Sequence, residues 1–503
     1  MLLFLPHIVL GAALVFLAAS NLFQRGFRSS WLLAVSASAL AFMSLLFLRL
    51  RLPLSLSFSA WWAGEGLVSS ITFLLDEISW QIAFIAAGLV LALFMMEVEG
   101  AMSAPWLNWA VNLALATASL FALLSGDLLT FAFFWTLVDL VASFAVFRFT
   151  PKPEDRRAAL SVLPANISAS FLLLIAWVVM SSSNHFGSFL MLVSAALRLG
   201  VFSSQRVSGF DSIQLRYLRI LPMASVLALL SRPITLDGIW LIGLLVALLL
   251  LAVFIVLQSN QREVPGGGNP TLERGFAALA LMAAAIGQPT IALAFGLITL
   301  VVGSLLVLAK SSGRWRGPLV VAFLLSLSAL PYTVISPDSN FSLISLVFLP
   351  IHAALISGWS RSALGEMPDM PVGEPWMRVI RALGLVLIPV ILALLPLGIA
   401  PKSLTPTEAI WWPAIAVIAM AAIFFVASRG DSRQDRISRS LITAVEPVAS
   451  LRWLHTSIDW MLTALGWVLR MTNRVLEGQA GVLWALLLIT LLLSVASQYA
   501  FGG

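Results

Sequence analysis

Apolar runs of membrane-spanning length follow one another along almost the whole chain. A transmembrane helix needs about twenty mainly apolar residues. Of all residues, 60% are hydrophobic and 10% charged, whereas about a quarter of the residues in a soluble domain are charged. The sequence therefore predicts an all-α polytopic membrane protein with about 14–16 transmembrane helices. The predicted spans lie near residues 2–22, 31–50, 77–97, 106–125, 127–148, 159–181, 184–203, 215–231, 237–258, 275–290, 292–310, 317–336, 341–358, 377–399, 408–427 and 480–500.

The residue types that hold redox cofactors are scarce. The chain has no cysteine and four scattered histidines. This excludes disulfides, thiolate-bound iron–sulfur clusters and cysteine-type zinc sites, and leaves little for a haem pair. We therefore expect no cofactor in this chain, and any redox cofactor to lie in another subunit. No nucleophile–base pair is evident within the spans, which argues against an enzyme acting alone.

The net charge of +6 indicates membrane topology and not nucleic-acid binding, because the basic residues form short clusters between apolar runs. The first apolar stretch is as long as a span and has no basic residue before it, so we expect a first helix and not a cleaved signal peptide. With the N-terminus outside, nearly all loop arginines and lysines fall inside. An even number of spans then places both termini on the outer side of a bacterial or archaeal inner membrane. The exceptions are Arg49, Arg51, Arg232 and Lys402.

Three segments break the pattern of spans. Residues 51–76 read as a polar, serine-rich outer loop, and residues 261–274 as a flexible inner loop rich in glycine and proline. Residues 440–478 have apolar positions at helical spacing, with Trp453, Trp460 and Trp467 close to one face. This favours an amphipathic helix in the membrane–water plane. The alternative is a transmembrane helix whose charges face the bundle.

A series of motifs in a fixed order carries a family resemblance. The series begins with "ITFLLDEISWQIAF" (71–84) and "GDLLTFAFFWTLVDL" (126–140), and continues with "LMLVSAALRLGVFSS", "LRYLRILPMASVLALLSRP", "TLERGFAALALMAAAIG" and "LSLSALPYTVISPDS". In this order they resemble the third, fifth, seventh, eighth, tenth and twelfth helices of the antiporter-like membrane subunits of respiratory complex I. The same family fold occurs in Mrp-type sodium/proton antiporters and membrane-bound hydrogenases.

The resemblance implies about fourteen core helices, in which helices 4–8 and 9–13 form two inverted five-helix repeats, each with a broken helix near the midplane. The amphipathic segment then resembles a shortened form of the lateral helix that clamps neighbouring subunits. The domains expected are the N-terminal helices, the first and second repeats, the C-terminal helices, the lateral helix and a final span. In the same order they cover residues 1–105, 106–231, 232–358, 359–427, 428–479 and 480–503.

The resemblance also locates a proton path, in which relays must be able to be both charged and neutral. Thr136 stands where the family has a glutamate, and Arg198 where it has a lysine that can lose its proton, which arginine does not do. Asp139 follows Thr136 by three residues, roughly on the same face of the helix, and is a candidate replacement for the glutamate. We expect Asp139 and Arg198 to pair. Alternatively, Asp139 is purely structural and Arg198 reaches to an interface.

Further candidates lie on later helices. Arg219 stands near the basic position of the eighth helix, although Arg216 and Arg219 fit better as anchors on the inner side. Ser339 occupies the lysine position of the twelfth helix, and the adjacent Asp338 is either its replacement or, as we favour, an exposed loop residue. His352 follows Pro350 and is either a relay or a packed helix residue.

Three functions remain open from the sequence. The leading one is an antiporter-like subunit of a complex I-related assembly, involved in proton or sodium translocation or its coupling. Its degenerate path would make it mainly a scaffold beside other antiporter-like subunits and a peripheral redox arm, and at most a non-redox part of an NADH–quinone oxidoreductase-like or hydrogenase-like complex. The second is an independent antiporter that uses Asp139, His352 and Asp338 with water wires. The third is an unrelated transporter of a small solute, which a central polar cavity would favour.

Overall fold

The computed structural model divides the chain into two units, residues 1–450 and 451–503. The structure describes residues 2–22, 30–59, 70–98, 105–149, 163–180, 183–201, 213–232, 234, 236–260, 270–308, 316–333, 341–364, 374–399 and 411–427 of the first unit. In the second unit it describes six helical positions, at 456, 460, 463, 464, 467 and 471. Trp460 and Trp467 are 76% and 57% exposed. The predicted in-plane orientation of this segment stays a prediction, and the predicted last span, 480–500, lies outside the described residues.

The described part of the first unit contains fifteen α-helices, numbered in chain order. They are α1 Leu5–Leu22, α2 Ser30–Leu48, α3 Glu77–Met96, α4 Trp106–Leu123, α5 Leu128–Phe149, α6 Leu163–Met180, α7 Asn184–Arg198, α8 Ile213–Leu230, α9 Gly238–Asn260, α10 Pro270–Ala285, α11 Pro289–Leu308, α12 Arg316–Thr333, α13 Phe341–Leu364, α14 Pro375–Ile399 and α15 Trp411–Ala427. Six of the described helices are long and apolar enough to span a membrane. The prediction of a polytopic helical membrane protein is confirmed.

Local signals at the helix ends explain where the predicted boundaries were right and wrong. α3 begins at residue 77, as predicted, with a reciprocal cap in which the Ser79 N–H donates to Asp76 Oδ1 at 2.7 Å and the Asp76 N–H donates to Ser79 Oγ at 2.9 Å. The seventh span was predicted too long, since α7 ends at Arg198 and Gly200 follows with φ 66°, a left-handed conformation suited to glycine. α10 begins five residues earlier than predicted, at Pro270, and proline is favoured in the first turn of a helix.

The segment predicted as a plain outer loop contains a β-hairpin, which the prediction missed. β1 (Leu54–Ser59) pairs antiparallel with β2 (Ser70–Leu75), with Leu54 opposite Leu75 and Ser59 opposite Ser70. The strict alternation of "LSLSFS" in β1 is the period-two signal of a strand. The serine content hid this signal, because serines were read as loop formers.

The hairpin is fixed to the junction between α4 and α5. The Leu74 N–H donates to the Leu124 carbonyl at 2.8 Å, and the Gly126 N–H donates to the Thr72 carbonyl at 2.6 Å. A Cβ on Gly126 would lie 2.5 Å from Thr72 Oγ1, so this close approach requires glycine. Asp127 caps α5 by accepting from the Thr130 N–H at 2.7 Å, and also accepts from the Thr72 N–H at 3.1 Å.

Two groups of five helices pack in the same pattern. In the first group α4 packs on α5 and α8, α5 on α6 and α8, and α7 on α6 and α8. In the second group the equivalent pairs among α9–α13 are all in contact. α8 also packs against α3 and α11, and therefore lies between the N-terminal helices and the second group.

We expect Asp127→Ala to lower the stability of the folded protein by about 2 kcal/mol, because it removes a helix cap and a hydrogen bond to a charged group. The measurement is thermal unfolding of the purified protein in detergent, followed by tryptophan fluorescence. Ser57→Ala, on the exposed part of β1, is the control and should leave the transition unchanged. An unchanged transition in Asp127→Ala would show that the hairpin is not held in this way.

Candidate functional site

Asp139 lies halfway along α5, a helix of 22 residues. At 1.5 Å per residue it is about 16 Å from either end, and so near the middle of a bilayer core about 30 Å thick. The buried face of α5 carries Phe131, Trp135 and Val138, each 0% exposed, and Asp139 is 6% exposed. The carboxylate therefore points into the helix bundle and not toward lipid.

Arg198 is the last residue of α7 and is 4% exposed. The turn after it is closed by the Val201 N–H, which donates to the Ala196 carbonyl at 3.1 Å, and by the Gly200 N–H, which donates to the Leu197 carbonyl at 3.0 Å. With 15 residues, α7 is about 22 Å long, shorter than the hydrocarbon core. A cation at this end is favoured by the helix dipole.

The two side chains form a bidentate ion pair. Arg198 Nη1 donates to Asp139 Oδ2 at 3.0 Å, and Nη2 donates to Oδ1 at 2.9 Å. This fork-on-carboxylate geometry is the strong form of a charge-assisted hydrogen bond. The expected pairing is present, and the alternative in which Arg198 reaches an interface is excluded by its burial. A role of the pair in an ion path stays a prediction.

Neighbouring groups fix the pair further. Arg198 Nη2 also donates to the Trp135 carbonyl at 3.1 Å, and the guanidinium lies 4.5 Å from the centroid of the Trp135 ring. Asn166 on α6 donates from Nδ2 to Asp139 Oδ1 at 3.3 Å. Sequence reasoning did not find Asn166, although a single asparagine in the apolar sequence of α6 was an available signal. Side chains from two neighbouring helices, α6 and α7, thus donate to one carboxylate on α5.

Thr136 does not belong to this cluster. Its side chain is exposed on the outer face of α5, beside Phe133 at 59% and Leu140 at 64% exposed, and its hydroxyl donates to the Ala132 carbonyl of its own helix at 2.9 Å. The expectation that Thr136 and Asp139 share a face is wrong. Three residues leave about 60° between two side chains on a helix, and here the edge of the buried face falls between them.

Of the predicted candidates, His352 is also buried in the described helices. It is 0% exposed on α13, its ring meets the Phe276 and Phe295 rings edge-on at 5.8 and 5.3 Å, and it hydrogen-bonds to the backbone of Leu327 on α12. Glu273 in the first turn of α10 is 6% exposed and was not predicted as a candidate. It stands in the quoted tenth-helix motif, so the signal was available.

The remaining predicted candidates lie outside the described residues. Asp338 and Ser339 fall in the segment 334–340, and the side chain of Arg219 on α8 is likewise outside. In the part of the chain that the structure describes, no three histidine, aspartate or glutamate side chains are placed to hold a metal ion. The candidate site is therefore built from Asp139 and Arg198.

A second arginine stacks one turn away, at the end of the bundle that carries the hairpin. Arg232, in the turn after α8, donates from Nη2 to the Ser125 carbonyl at 2.7 Å and lies 4.8 Å from the centroid of the Phe131 ring. Burial lowers the pKa of Arg232, while the charges of Asp127 and Asp76 oppose this shift. This arrangement explains why a basic residue stands on the predicted outer side, because Arg232 binds the α4–α5 turn.

A cavity of about 420 Å³ opens where α7 and α9 begin and α10 ends. His185 Nε2 lies 3.6 Å from Asp237 Oδ2 at this cavity, and the rest of its lining is mainly apolar. Asp139 and Arg198 are not among its lining residues. The cavity is therefore separate from the candidate site, and it lies at the helix ends and not at the centre that a solute transporter would use.

Solved structures share this arrangement of helices. The chain matches a chain of the Mrp complex from Dietzia sp. with a TM-score of 0.66 and 14% sequence identity, over 98% of this chain and 63% of that one. The chain has the fold of a membrane subunit of the Mrp complex. It also matches a chain of the membrane-bound sulfane sulfur reductase, an archaeal respiratory membrane complex, with a TM-score of 0.52 and 15% identity, over 98% of this chain and 99% of that one.

No protein-family model and no curated protein matches the sequence. The chain spans 63% of the length of the Mrp chain that it matches. The predicted resemblance to antiporter-like membrane subunits is nevertheless confirmed at the level of the fold. In this Mrp-type fold the Asp139–Arg198 pair joins α5 to α7 in the middle of the first group of five helices.

We expect Arg198→Met and Asp139→Leu each to destabilise the protein by about 3–5 kcal/mol, because each leaves a buried charge without its partner. The double variant Asp139→Leu/Arg198→Met should be markedly more stable than either single variant. The measurement is a double-mutant cycle of thermal unfolding in detergent.

Thr136→Val is the control and should leave stability unchanged, since Thr136 is exposed on the same helix. Additive effects of the two single substitutions would show that the ion pair is not formed in the protein.

Proposed function

We propose that this protein is an antiporter-like membrane subunit of a complex I-related assembly, in which a fixed ion pair replaces the proton relay of the first half. The chain would act mainly in coupling and scaffolding beside subunits that translocate protons or sodium. The observation that carries the proposal is the bidentate Asp139–Arg198 pair, buried near mid-membrane.

The chemistry of the two groups supports a fixed role. Arginine does not release its proton in proteins, so no proton passes through Arg198. Protonating Asp139 would remove the counter-charge of a buried guanidinium, which costs about 3–5 kcal/mol. A relay needs two protonation states of similar free energy. The pair thus holds both of its charges and does not exchange them.

The position of the pair supports the same proposal. By the resemblance, Thr136 and Arg198 stand at the glutamate and lysine positions, and Thr136 faces outward. The acid lies one turn further on, at Asp139, where it meets a group that stays charged. In this chain, an ion pair between α5 and α7 thus replaces the titrating glutamate and lysine of the family.

The packing pattern supports two repeats, α4–α8 and α9–α13, because equivalent helix pairs are in contact in both groups. We propose that the repeats are inverted relative to each other and that α7 and α12 are their broken helices. α7 is short and α12 contains Pro331, which fits helices interrupted within a membrane.

The same fold supports membership of a larger assembly, since the matched chains belong to multi-subunit complexes. We propose that other antiporter-like subunits and a peripheral redox arm are the partners. The distribution of basic loop residues supports an inner membrane with both termini on the outer side.

Translocation through the second half is the competing function. Glu273 on α10 and His352 on α13 are buried titratable groups on helices that pack together. Unlike arginine, histidine can exist in a charged and a neutral form in proteins. A subunit that still moves protons or sodium would do so through these helices.

Purification of the native protein in mild detergent, followed by mass spectrometry, tests the assembly. We expect antiporter-like membrane subunits and redox subunits in fixed ratio with this chain. Recovery of a solitary chain that catalyses ion flux after reconstitution would reject the scaffold function in favour of an independent transporter.

The double variant Asp139→Leu/Arg198→Met tests the fixed pair in that complex, because it removes both charges without stranding either one. We expect proton translocation per turnover of the complex to stay at the unmodified level, measured by pH-sensitive dye quenching in proteoliposomes. His352→Phe, which removes the titratable ring of the second half, is measured beside it. Translocation that falls in the double variant, with assembly intact, would show that Asp139 lies on a proton path.

A further inference from the structure

A stripe of polar side chains runs along one face of α4, away from the Asp139–Arg198 pair. Asn108, Asn112 and Ser119 are separated by four and seven residues, so they lie within about 40° of one line along the helix and span about 16 Å. They are 7%, 2% and 0% exposed. The stripe is therefore enclosed by α4 and its neighbours α1, α2, α3 and α8.

The polar atoms of this stripe lack partners within the described structure. Neither Oδ1 nor Nδ2 of Asn112 makes a hydrogen bond there, nor do Oδ1 of Asn108 and Oγ of Ser119. On the facing helix α2, the Oγ of Ser38 is in the same state at 2% exposed. A buried amide or hydroxyl without a partner costs about 1–3 kcal/mol. Water can satisfy all five of these atoms without bringing a charge.

Space for one water molecule is present beside the two serines of this set. A cavity of about 10 Å³ is lined by Ser38 and Ser119, together with Leu10, Ala86 and Ala116. This is the volume that one water molecule needs. A water between two serine hydroxyls can donate and accept, as both of them can.

A titratable side chain lies near each end of the stripe. At the hairpin end, His7 on α1 stacks on Phe121 with ring centroids 3.9 Å apart, and Leu10, one turn further along α1, lines the cavity. At the opposite end the Phe94 ring meets the Trp109 ring at 5.5 Å, and Glu97 follows Phe94 by three residues. Both His7 and Glu97 are buried, at 5% and 8% exposed.

We infer that water molecules are bound along this stripe, one between Ser38 and Ser119 and others at Asn112 and Asn108. The stripe covers about half of the hydrocarbon core. It involves α1–α4 and none of the residues of the Asp139–Arg198 pair. The bound waters form a hydrated track beside α4, with a titratable side chain near each end.

Single cysteines test the track, because the chain has no cysteine of its own. Asn112→Cys and Ser119→Cys are made in the native complex and exposed to Ag⁺, which reacts with thiolates. Blocking is read by maleimide labelling after denaturation and peptide mass spectrometry. Leu113→Cys, at a 0% exposed position on another face of α4, is the dry control.

Hydration lowers the cost of forming a thiolate, whereas an apolar site raises the pKa of the thiol. We expect both stripe thiols to react at least about ten times faster than the Leu113→Cys thiol, the effect of one unit of thiol pKa. Equal rates at the three positions would overturn the inference.

The unmodified protein provides a measurement that does not depend on the folding of variants. A cryo-EM map that resolves waters elsewhere in the membrane region should show density at hydrogen-bond distance from both polar atoms of the Asn112 side chain. A map of that quality with no density there would overturn the inference as well.

Discussion

The hydrocarbon core of a membrane offers no hydrogen-bond partner, and nearly every feature of this structure follows from that constraint. Backbone amides in such a medium must be satisfied within the chain, so the spanning segments are helices. The single described hairpin obeys the same rule. Its β2 strand donates a hydrogen bond to the Leu124 carbonyl and accepts one from the Gly126 N–H, at the end of the bundle where α4 stops and α5 begins.

Burying the charges of Asp139 and Arg198 in this medium costs free energy, and several neighbouring groups bind the pair. The carboxylate receives three donors from α6 and α7, and the guanidinium lies over the Trp135 ring. Such a pair contributes little net stability compared with apolar residues, yet breaking it is costly. Its effect is to fix which face of α5 meets the end of α7. This specificity is what the proposed scaffold function requires.

The two groups of five helices use their buried polar groups differently. In the first group an arginine neutralises the acid permanently. In the second group His352 lies among the Phe276 and Phe295 rings, with Glu273 buried on the adjacent α10. The α4 stripe adds a third kind of polarity, neutral and without partners in the described structure. Water suits such groups, because it satisfies amides and hydroxyls without bringing a charge.

The sequence by itself determined the helices, because the length of an apolar run and the absence of charge decide whether a segment can cross a membrane. It also determined the cap of α3, since Asp76 and Ser79 are local partners three residues apart. The alternation in β1 signals a strand, but the serine content of the segment favours a loop, so the sequence prediction missed the hairpin. The sequence did not predict the end of α7, because a glycine in an apolar run ends a helix only when it adopts the left-handed conformation.

Only the tertiary structure decided the site. Thr136 and Asp139 are about 60° apart on one helix, and the packing of α6, α7 and α8 around α5 determines that one of them is exposed and the other buried. Whether Arg198 reaches an interface or stays inside depends on a carboxylate 59 residues earlier in the chain. Such pairings are set by which helices become neighbours, and the energy of a buried charge depends on that neighbour more than on its own sequence context.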